Sequence, residues 1–145
     1  MNKIKITFIC LLIPFLVFIV FVLSKIKAKE DYRQKAALAR EIRKVMLPLM
    51  FDLRDARENT ILDVPADGLW HDRIAFDNTT QGALEYLINE GHLWRINNKK
   101  PALLADNIGA LHIRRQKQTP DILEVQIEAK NSITLTSNLK IRIRQ

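Results

Sequence analysis

The feature that most constrains this chain is an apolar run near its amino end, residues 6–23, with the sequence ITFICLLIPFLVFIVFVL. Thr7 and Cys10 interrupt its apolar character, and it contains no charged residue. A helix of this length extends about 27 Å, close to the roughly 30 Å thickness of the hydrocarbon core of a bilayer. The run therefore predicts a membrane-spanning helix. The positions assigned to the span are Ile6, Phe8, Leu12, Pro14, Phe18 and Leu23.

The residues that flank this run distinguish a retained anchor from a cleaved signal peptide. A signal peptide needs small residues at its cleavage site, whereas Lys25, Ile26 and Lys27 follow the run here. Residues 1–29 contain five lysines and no acid. We therefore expect residues 1–29 to form a membrane anchor with basic flanks.

Residues 30–62 predict an amphipathic helix that continues out of the membrane. They contain no glycine and are rich in alanine, leucine, arginine, lysine and glutamate, which favour helices. Apolar side chains recur at spacings of three and four residues, which places them on one stripe. We expect its outer part to pack on the protein's own sheet, its membrane-proximal part to pack on helices of other subunits, and Pro48 to bend the helix. The predicted stripe consists of Ala39, Ile42, Met46, Leu49, Leu53 and Ala56.

From Trp70 onward the apolar period changes to two, which is typical of strands. Asn89, Glu90 and Gly91 separate two of these segments as a tight hairpin turn. Residues 63–145 therefore predict an antiparallel β-sheet, and residues 30–145 one globular domain, which we call the head. The predicted fold class is α+β, in which a transmembrane helix continues into a long amphipathic helix packed by the sheet. The predicted strands are residues 73–77, 83–89, 92–97, 108–115, 122–129 and 133–144.

The last two predicted strands alternate regularly between apolar and polar residues. In the first, leucine, valine and isoleucine at 123, 125 and 127 alternate with Glu124 and Glu128. In the second, leucine and isoleucine alternate with Lys140 and Arg142. If the two strands pair antiparallel, an acidic row and a basic row share the solvent-exposed face of the sheet.

Four segments carry a resemblance to a known family. They are FDLRDA at 51–56, LEYLINEGHLWRINN at 84–98, ALLADNIGALHI at 102–113 and SNLKIRIRQ at 137–145. Together with the order of anchor, helix and β-meander, they resemble type IV pilins and the pseudopilins of type II secretion, and are most similar to a minor pseudopilin. The resemblance implies a structural subunit of a secretion, type IV pilus or competence apparatus that assembles through its N-terminal helix. Its partners would be other pilin-like subunits and membrane assembly components.

The resemblance also implies a single-pass protein of the cytoplasmic (inner) membrane with its head on the extracytoplasmic side. The lysines that follow the apolar run favour the opposite orientation by the positive-inside rule. The alternative function is a stand-alone membrane-anchored binding module with a pilin-like head and with nucleic acid as one candidate ligand.

The anchor differs from the family's signature, which is a small residue, then phenylalanine, then an acid four positions later. Here Thr7 precedes Phe8, Leu12 occupies the acidic position, and Glu30 is the first acid of the chain. The residues for prepilin processing and for the family's charge pair between subunits are therefore missing.

The net charge of +7 is concentrated in the anchor, because without residues 1–29 the chain carries only +2. This small excess argues against a nucleic-acid partner. The aromatic and basic residues considered for such binding are Trp70, Tyr86, Trp94, Arg95, Lys99, Lys100, Arg114, Arg115 and Lys117. We expect basic residues near the carboxyl end to contact an acidic surface of a neighbouring subunit. The basic residues are Lys140, Arg142 and Arg144, and the acidic ones are Asp63, Asp67, Asp72 and Asp77.

The sequence contains no residue pattern typical of catalysis or of a cofactor site. His71, His92 and His112 are its three histidines, and none has a second histidine or a cysteine at metal-ligand spacing. The four glycines are scattered and form no phosphate-binding loop. Asp52 and Asp55 are interpreted as solvent-exposed helix residues. We therefore predict that the protein is not an enzyme and has no catalytic, metal or cofactor site and no small-molecule substrate.

Overall fold

The computed structural model describes the backbone of residues 3–143 and the side chains of residues 15–143. In this part of the chain, one long helix precedes seven strands. The helix is α1, Lys3–Arg54, and a short 3-10 helix, Glu58–Thr60, follows it. The strands are β1 (Ile74–Asn78), β2 (Gly82–Asn89), β3 (His92–Asn97), β4 (Lys100–Ala105), β5 (Ile108–Arg115), β6 (Ile122–Lys130) and β7 (Thr134–Arg142).

The protein has an α+β fold in which α1 packs against two antiparallel sheets. One sheet has the strand order β1-β2-β3-β4 and the other the order β5-β6-β7, so the prediction of a single sheet is wrong. Asn107 has a φ of 58° in the tight turn after β4, and the following strand pairs with β6 instead of continuing the first sheet. The two sheets remain in contact at one corner, where the Ile108 amide donates a hydrogen bond to the Gly91 carbonyl (3.0 Å).

Six of the strands coincide with predicted segments to within two residues at either end. The predicted hairpin is also confirmed: Glu90 and Gly91 both have positive φ, as a two-residue turn between antiparallel strands requires. β4 was not predicted, because it contains Pro101 and begins with a lysine, both of which are uncommon in strands. Proline is tolerated there because β4 lies at the edge of its sheet.

The predicted helix over residues 30–62 ends earlier, at Arg54. Beyond it the backbone pairs with β1: the Arg57 amide donates to the Asp77 carbonyl (2.9 Å), and Ala56 forms a bridge with Asn78. These bonds to the strand replace the intrahelical bonds that would continue the helix. The helix itself is continuous through Pro48.

The backbone of the predicted membrane span, residues 6–23, belongs to α1, but only part of the span has described side chains. Residues 15–23 have described side chains and are exposed, Phe18 and Leu23 among them. No helix among the described residues is both long and apolar enough to cross a membrane. The assigned positions whose side chains lie outside the described residues are Ile6, Phe8, Leu12 and Pro14.

The core consists of the buried stripe of α1 and the inner faces of both sheets. Leu38 and Val45 are buried although they were not assigned to the predicted stripe. The stripe is wider than predicted because α1 packs on β4 of one sheet and on β6 and β7 of the other. Of the predicted stripe residues, the buried ones are Ile42, Leu49, Leu53 and Ala56, and the half-buried ones are Ala39 and Met46.

Leu49→Ala is expected to destabilise the head by about 2–4 kcal/mol, because Leu49 is fully buried and its truncation leaves a cavity between α1 and the sheets. Leu47 lies two residues away on the solvent side of the same helix and is 56% exposed. Leu47→Ala is therefore the matched control and should change the free energy of unfolding by no more than about 0.5 kcal/mol. Urea unfolding of a fragment of residues 30–145 measures both values. Equal effects of the two substitutions would contradict this orientation of the helix.

Candidate assembly surface

α1 extends beyond the head as an exposed apolar rod. The nine side chains at residues 15–23 are all large and apolar, and their exposed fractions range from 36% to 66%. Among the residues whose side chains are described, the first buried residue of the helix is Leu38, about 22 Å beyond Leu23 at 1.5 Å per residue. An apolar surface of this extent is unfavourable in water.

Beside the head, α1 presents a second surface to solvent, which we call the outer helix face. Its residues are three, four or seven positions apart, so they share one side of the helix, opposite the buried stripe. Leu47 and Phe51 form its exposed apolar part, and basic side chains surround them. Among the described residues, Lys44 is the only cation of this face with an ion pair, to Glu41 at 2.7 Å. The outer helix face consists of Arg33, Arg40, Lys44, Leu47, Phe51 and Arg54.

A buried polar cluster attaches the last turn of α1 to the first sheet. Asp52 is only 3% exposed, which corrects its interpretation as a solvent-exposed residue. Its carboxylate accepts hydrogen bonds from the Tyr86 hydroxyl (2.5 Å), the Arg95 Nε (2.6 Å) and the Gln81 amide (3.1 Å). Asn78 donates to the Asp52 backbone carbonyl (2.9 Å). These bonds join the helix to β1, β2 and β3.

The cluster keeps its charges balanced. The hydrogen bond to Asp52 raises the pKa of the Arg95 guanidinium, so that arginine remains charged. Burial, followed by the hydrogen bond to Asp52, raises the pKa of Tyr86 above its ordinary value and keeps the phenol protonated. The burial of Asp52 was signalled by its position, since it lies three residues after Leu49 and therefore on the buried side of the helix.

A second polar cluster lies on the outer face of the three-stranded sheet. Glu124 is paired with Lys140 across β6 and β7, as expected for an acidic row opposite a basic row. It is not solvent-exposed as predicted, because Lys140 (2.8 Å), Arg114 (2.6 Å) and Gln116 (2.6 Å) cover it and leave 8% exposed. The hydrogen bond from Lys140, followed by that from Arg114, lowers the pKa of Glu124 to about 2.

The basic residues expected to contact a neighbouring subunit have carboxylate partners within their own chain. Lys140 pairs with Glu124, and the Arg142 Nε lies 3.0 Å from an oxygen of Asp121. Arg144 lies outside the described residues. These internal pairs reduce the charge that this edge offers to a partner.

Two of the four acidic residues expected to form the partner surface also have partners within their own chain. Asp63 pairs with Arg73 at 3.0 Å. Asp67 accepts the Leu69 amide hydrogen (2.8 Å), which is the main cause of the lowered pKa of Asp67. Asp72 and Asp77 are exposed. The cations of the outer helix face are therefore better placed than the β7 edge to meet an acidic partner.

The residues considered for nucleic-acid contact separate into different parts of the fold. Tyr86 and Arg95 belong to the buried cluster, and Trp94 is half-buried on the first sheet. Lys99 and Lys100 lie at the turn between β3 and β4. The remaining four come together at the second sheet: Trp70, Arg114, Arg115 and Lys117.

The histidines lie in separate environments. His71 forms a backbone bridge with Ile113, and the His92 Nδ1 lies 2.8 Å from Asp106. His112 meets the ring of Trp70 edge-on. Among the residues whose side chains are described, no three histidine, cysteine, aspartate or glutamate side chains converge as a metal site would require.

Asp52→Asn is expected to lower the free energy of unfolding by about 2–4 kcal/mol, because it leaves the largely buried Arg95 guanidinium without its counter-charge. Asp55 lies three residues after Asp52, just past the end of α1. Asp55→Asn is therefore the matched control and should change the free energy of unfolding by less than about 0.5 kcal/mol. Urea unfolding of the two variants tests this role. A neutral Asp52→Asn substitution would show that the ion pair does not hold the helix end.

Glu124 should make stability depend on pH in acid. Its pKa is about 2 in the folded protein and 4.5 ordinarily, so its contribution is complete above pH 4.5 and is lost as the pH falls towards 2. Glu124→Gln removes this titration, and the variant should lose less stability than the wild type over the same interval. Thermal unfolding between pH 6 and pH 2 measures the difference. Parallel curves for the two proteins would contradict the assignment.

Comparison of the chain with known protein families, with curated proteins and with solved structures found no match.

Proposed function

We propose that this chain is a structural subunit of the pilin-like type, a minor pseudopilin of a secretion, type IV pilus or competence apparatus. One observation carries the proposal: a single helix of 52 residues packs its carboxyl-terminal part on an antiparallel β head and extends with an apolar surface beyond it. A helix of this kind places a subunit in a membrane and in an assembly at the same time. The work of the protein is then mechanical and needs neither a cofactor nor a small-molecule substrate.

The proposed anchor is the apolar run at residues 6–23, which includes the exposed rod at residues 15–23. Lipid surrounds its side chains before assembly, and helices of other pilin-like subunits replace lipid afterwards. The proposed location is the cytoplasmic (inner) membrane, crossed once, with the head on the extracytoplasmic side. Membrane assembly components recognise the subunit there.

The outer helix face supplies the contact beside the head. Leu47 and Phe51 are exposed apolar side chains on a helix whose opposite side is fully used by the core. Helices in contact bury such residues by placing the ridges of one in the grooves of the other. Around them, the basic residues favour a partner helix that carries acids.

The missing anchor carboxylate defines how this subunit would differ from its proposed relatives. The chain has no acid before Glu30, so it offers no carboxylate within the apolar run for a charge pair with a neighbour. Register between subunits must come from contacts closer to the head. The outer helix face can set this register, because its apolar residues are fixed in position beside the head.

Site-specific photocrosslinking in membranes of the producing cells tests the proposal. A photoreactive residue in place of Phe51 should form adducts with other polypeptides that begin with an apolar helix, identified by mass spectrometry. The full chain should also stay in the membrane fraction through an alkaline carbonate wash.

The matched control is the same photoreactive residue in place of Leu62, which is 80% exposed and lies after the helix. Adducts at Phe51 and not at Leu62 would support assembly through the helix. Equal or absent adducts with a retained anchor would favour the stand-alone binding module. Release of the chain by carbonate would contradict the membrane anchor itself.

A further inference from the structure

The outer face of the three-stranded sheet contains an open groove that the proposed assembly does not use. The groove has a volume of about 420 Å³, and we call it the Trp70 groove. The sheet separates it from α1, because the helix packs on the opposite face of β6 and β7. It is lined by Trp70, Arg114, Glu124, Gln126, Asn138 and Lys140.

Trp70 forms a fixed aromatic surface at one side of this groove. The Arg114 guanidinium lies over the indole ring, 4.4 Å from its centroid. The ring of His112 meets it edge-on, at a centroid distance of 6.3 Å. Although these two side chains hold the ring in place, Trp70 remains 43% exposed. A held and half-exposed indole can stack on a ligand at little cost in side-chain entropy.

The floor of the groove offers two amides for hydrogen bonding. Gln126 and Asn138 are directly opposite each other on β6 and β7. Within the described part of the chain, neither side chain makes a hydrogen bond to another protein group. An amide both donates and accepts, so the pair matches groups that also do both, such as hydroxyls.

Charged side chains of both signs lie near the amides, because Glu124 and Glu128 share the face of β6 with Gln126, and Lys140 shares the face of β7 with Asn138. The Lys140 ammonium uses one of its three hydrogens on Glu124 and is otherwise largely exposed. A second groove of about 360 Å³ shares Arg114 with the first and adds Lys117 and two glutamines to its lining. Arg115 also lines it but is occupied by Glu58 at 3.1 Å. Taken together, the linings of the two grooves carry a modest positive excess.

We propose that this face binds an acidic glycan, a chain of sugar rings that carry hydroxyls and carboxylates. One ring stacks on Trp70, its hydroxyls bond to Gln126 and Asn138, and carboxylates of the chain meet Lys140 and Lys117. This proposal does not depend on the assembly of the subunit.

The composition of the groove favours a glycan over a single-stranded nucleic acid. Phosphodiester oxygens only accept hydrogen bonds, so they leave the acceptor oxygens of Gln126 and Asn138 unused. Strand binding also uses several stacked bases, whereas Trp70 is the one aromatic residue in the lining of this groove as the structure describes it.

Binding to the full-length chain in detergent tests the proposal, with hexagalacturonate as the probe. The variant Trp94→Phe leaves Trp70 as the chain's one tryptophan, and its fluorescence should change as the probe is added. By isothermal titration calorimetry, which does not need the indole as a reporter, the dissociation constant should rise about five- to tenfold in Trp70→Ala and about fivefold or more in the double variant Gln126→Ala, Asn138→Ala. The methyl-esterified probe has the same rings without charge and should bind about threefold more weakly.

Leu69→Ala is the matched control, since Leu69 is an exposed apolar neighbour of Trp70 in the same loop and should be neutral. Thermal unfolding of each variant verifies that the sheet is intact. An unchanged constant in Trp70→Ala, or no binding at millimolar probe, would overturn the proposal. Tighter binding of a thymidylate oligomer than of the glycan would overturn it in favour of nucleic acid.

Discussion

The packing of α1 across two sheets is the interaction on which the rest of this structure depends. The sheets meet each other at a corner, through bonds such as that from Ile108 to Gly91, whereas the helix contacts β4 of one and β6 and β7 of the other. Leu49 and Leu53 are fully buried in this shared core. Without the helix, both inner faces would lose their apolar cover, at a cost of about 25 cal/mol for each Å² exposed. The cluster around Asp52 fixes the position of the helix end on the first sheet, because its hydrogen bonds join that end to particular strands.

Several of the charges expected to meet a neighbouring subunit are paired within the chain itself. Lys140 and Arg142 have carboxylates of their own chain at about 3 Å, and Asp63 is held by Arg73. An exposed pair between subunits contributes about 0–1 kcal/mol, so it gains little by breaking such an internal pair. The rod before the head and the outer helix face both expose apolar side chains. The proposed assembly therefore depends on the helix more than on the charged edge of the sheet.

The two proposed activities lie on different sides of the head. The outer helix face points away from the sheets, and the Trp70 groove lies on the far face of β6 and β7. A subunit bound to neighbours through its helix would keep this groove open. Substitutions in one surface should therefore leave the other unaffected, since side chains that share no partners behave additively.

The sequence by itself determined the features that depend on neighbouring residues. Alternation with period two located six strands, and the turn at Glu90 and Gly91 followed from residues that adopt positive φ. Helix periodicity identified Leu49 and Leu53 as core residues. Of the candidate surfaces, the apolar run could be predicted from the sequence, because it too depends only on neighbouring residues.

Only the tertiary structure decided the features that depend on residues distant along the chain. Backbone bonds from Ala56 and Arg57 to β1 ended the helix, and β4 exists because the neighbouring strand accepts Pro101 at a sheet edge. Asp52 is buried because Tyr86 and Arg95 approach it from β2 and β3. The contact of Trp70 with Arg114 likewise joins a loop to a later strand. Local propensity carries no information on such pairings, because long-range packing selects among conformations that the local sequence allows.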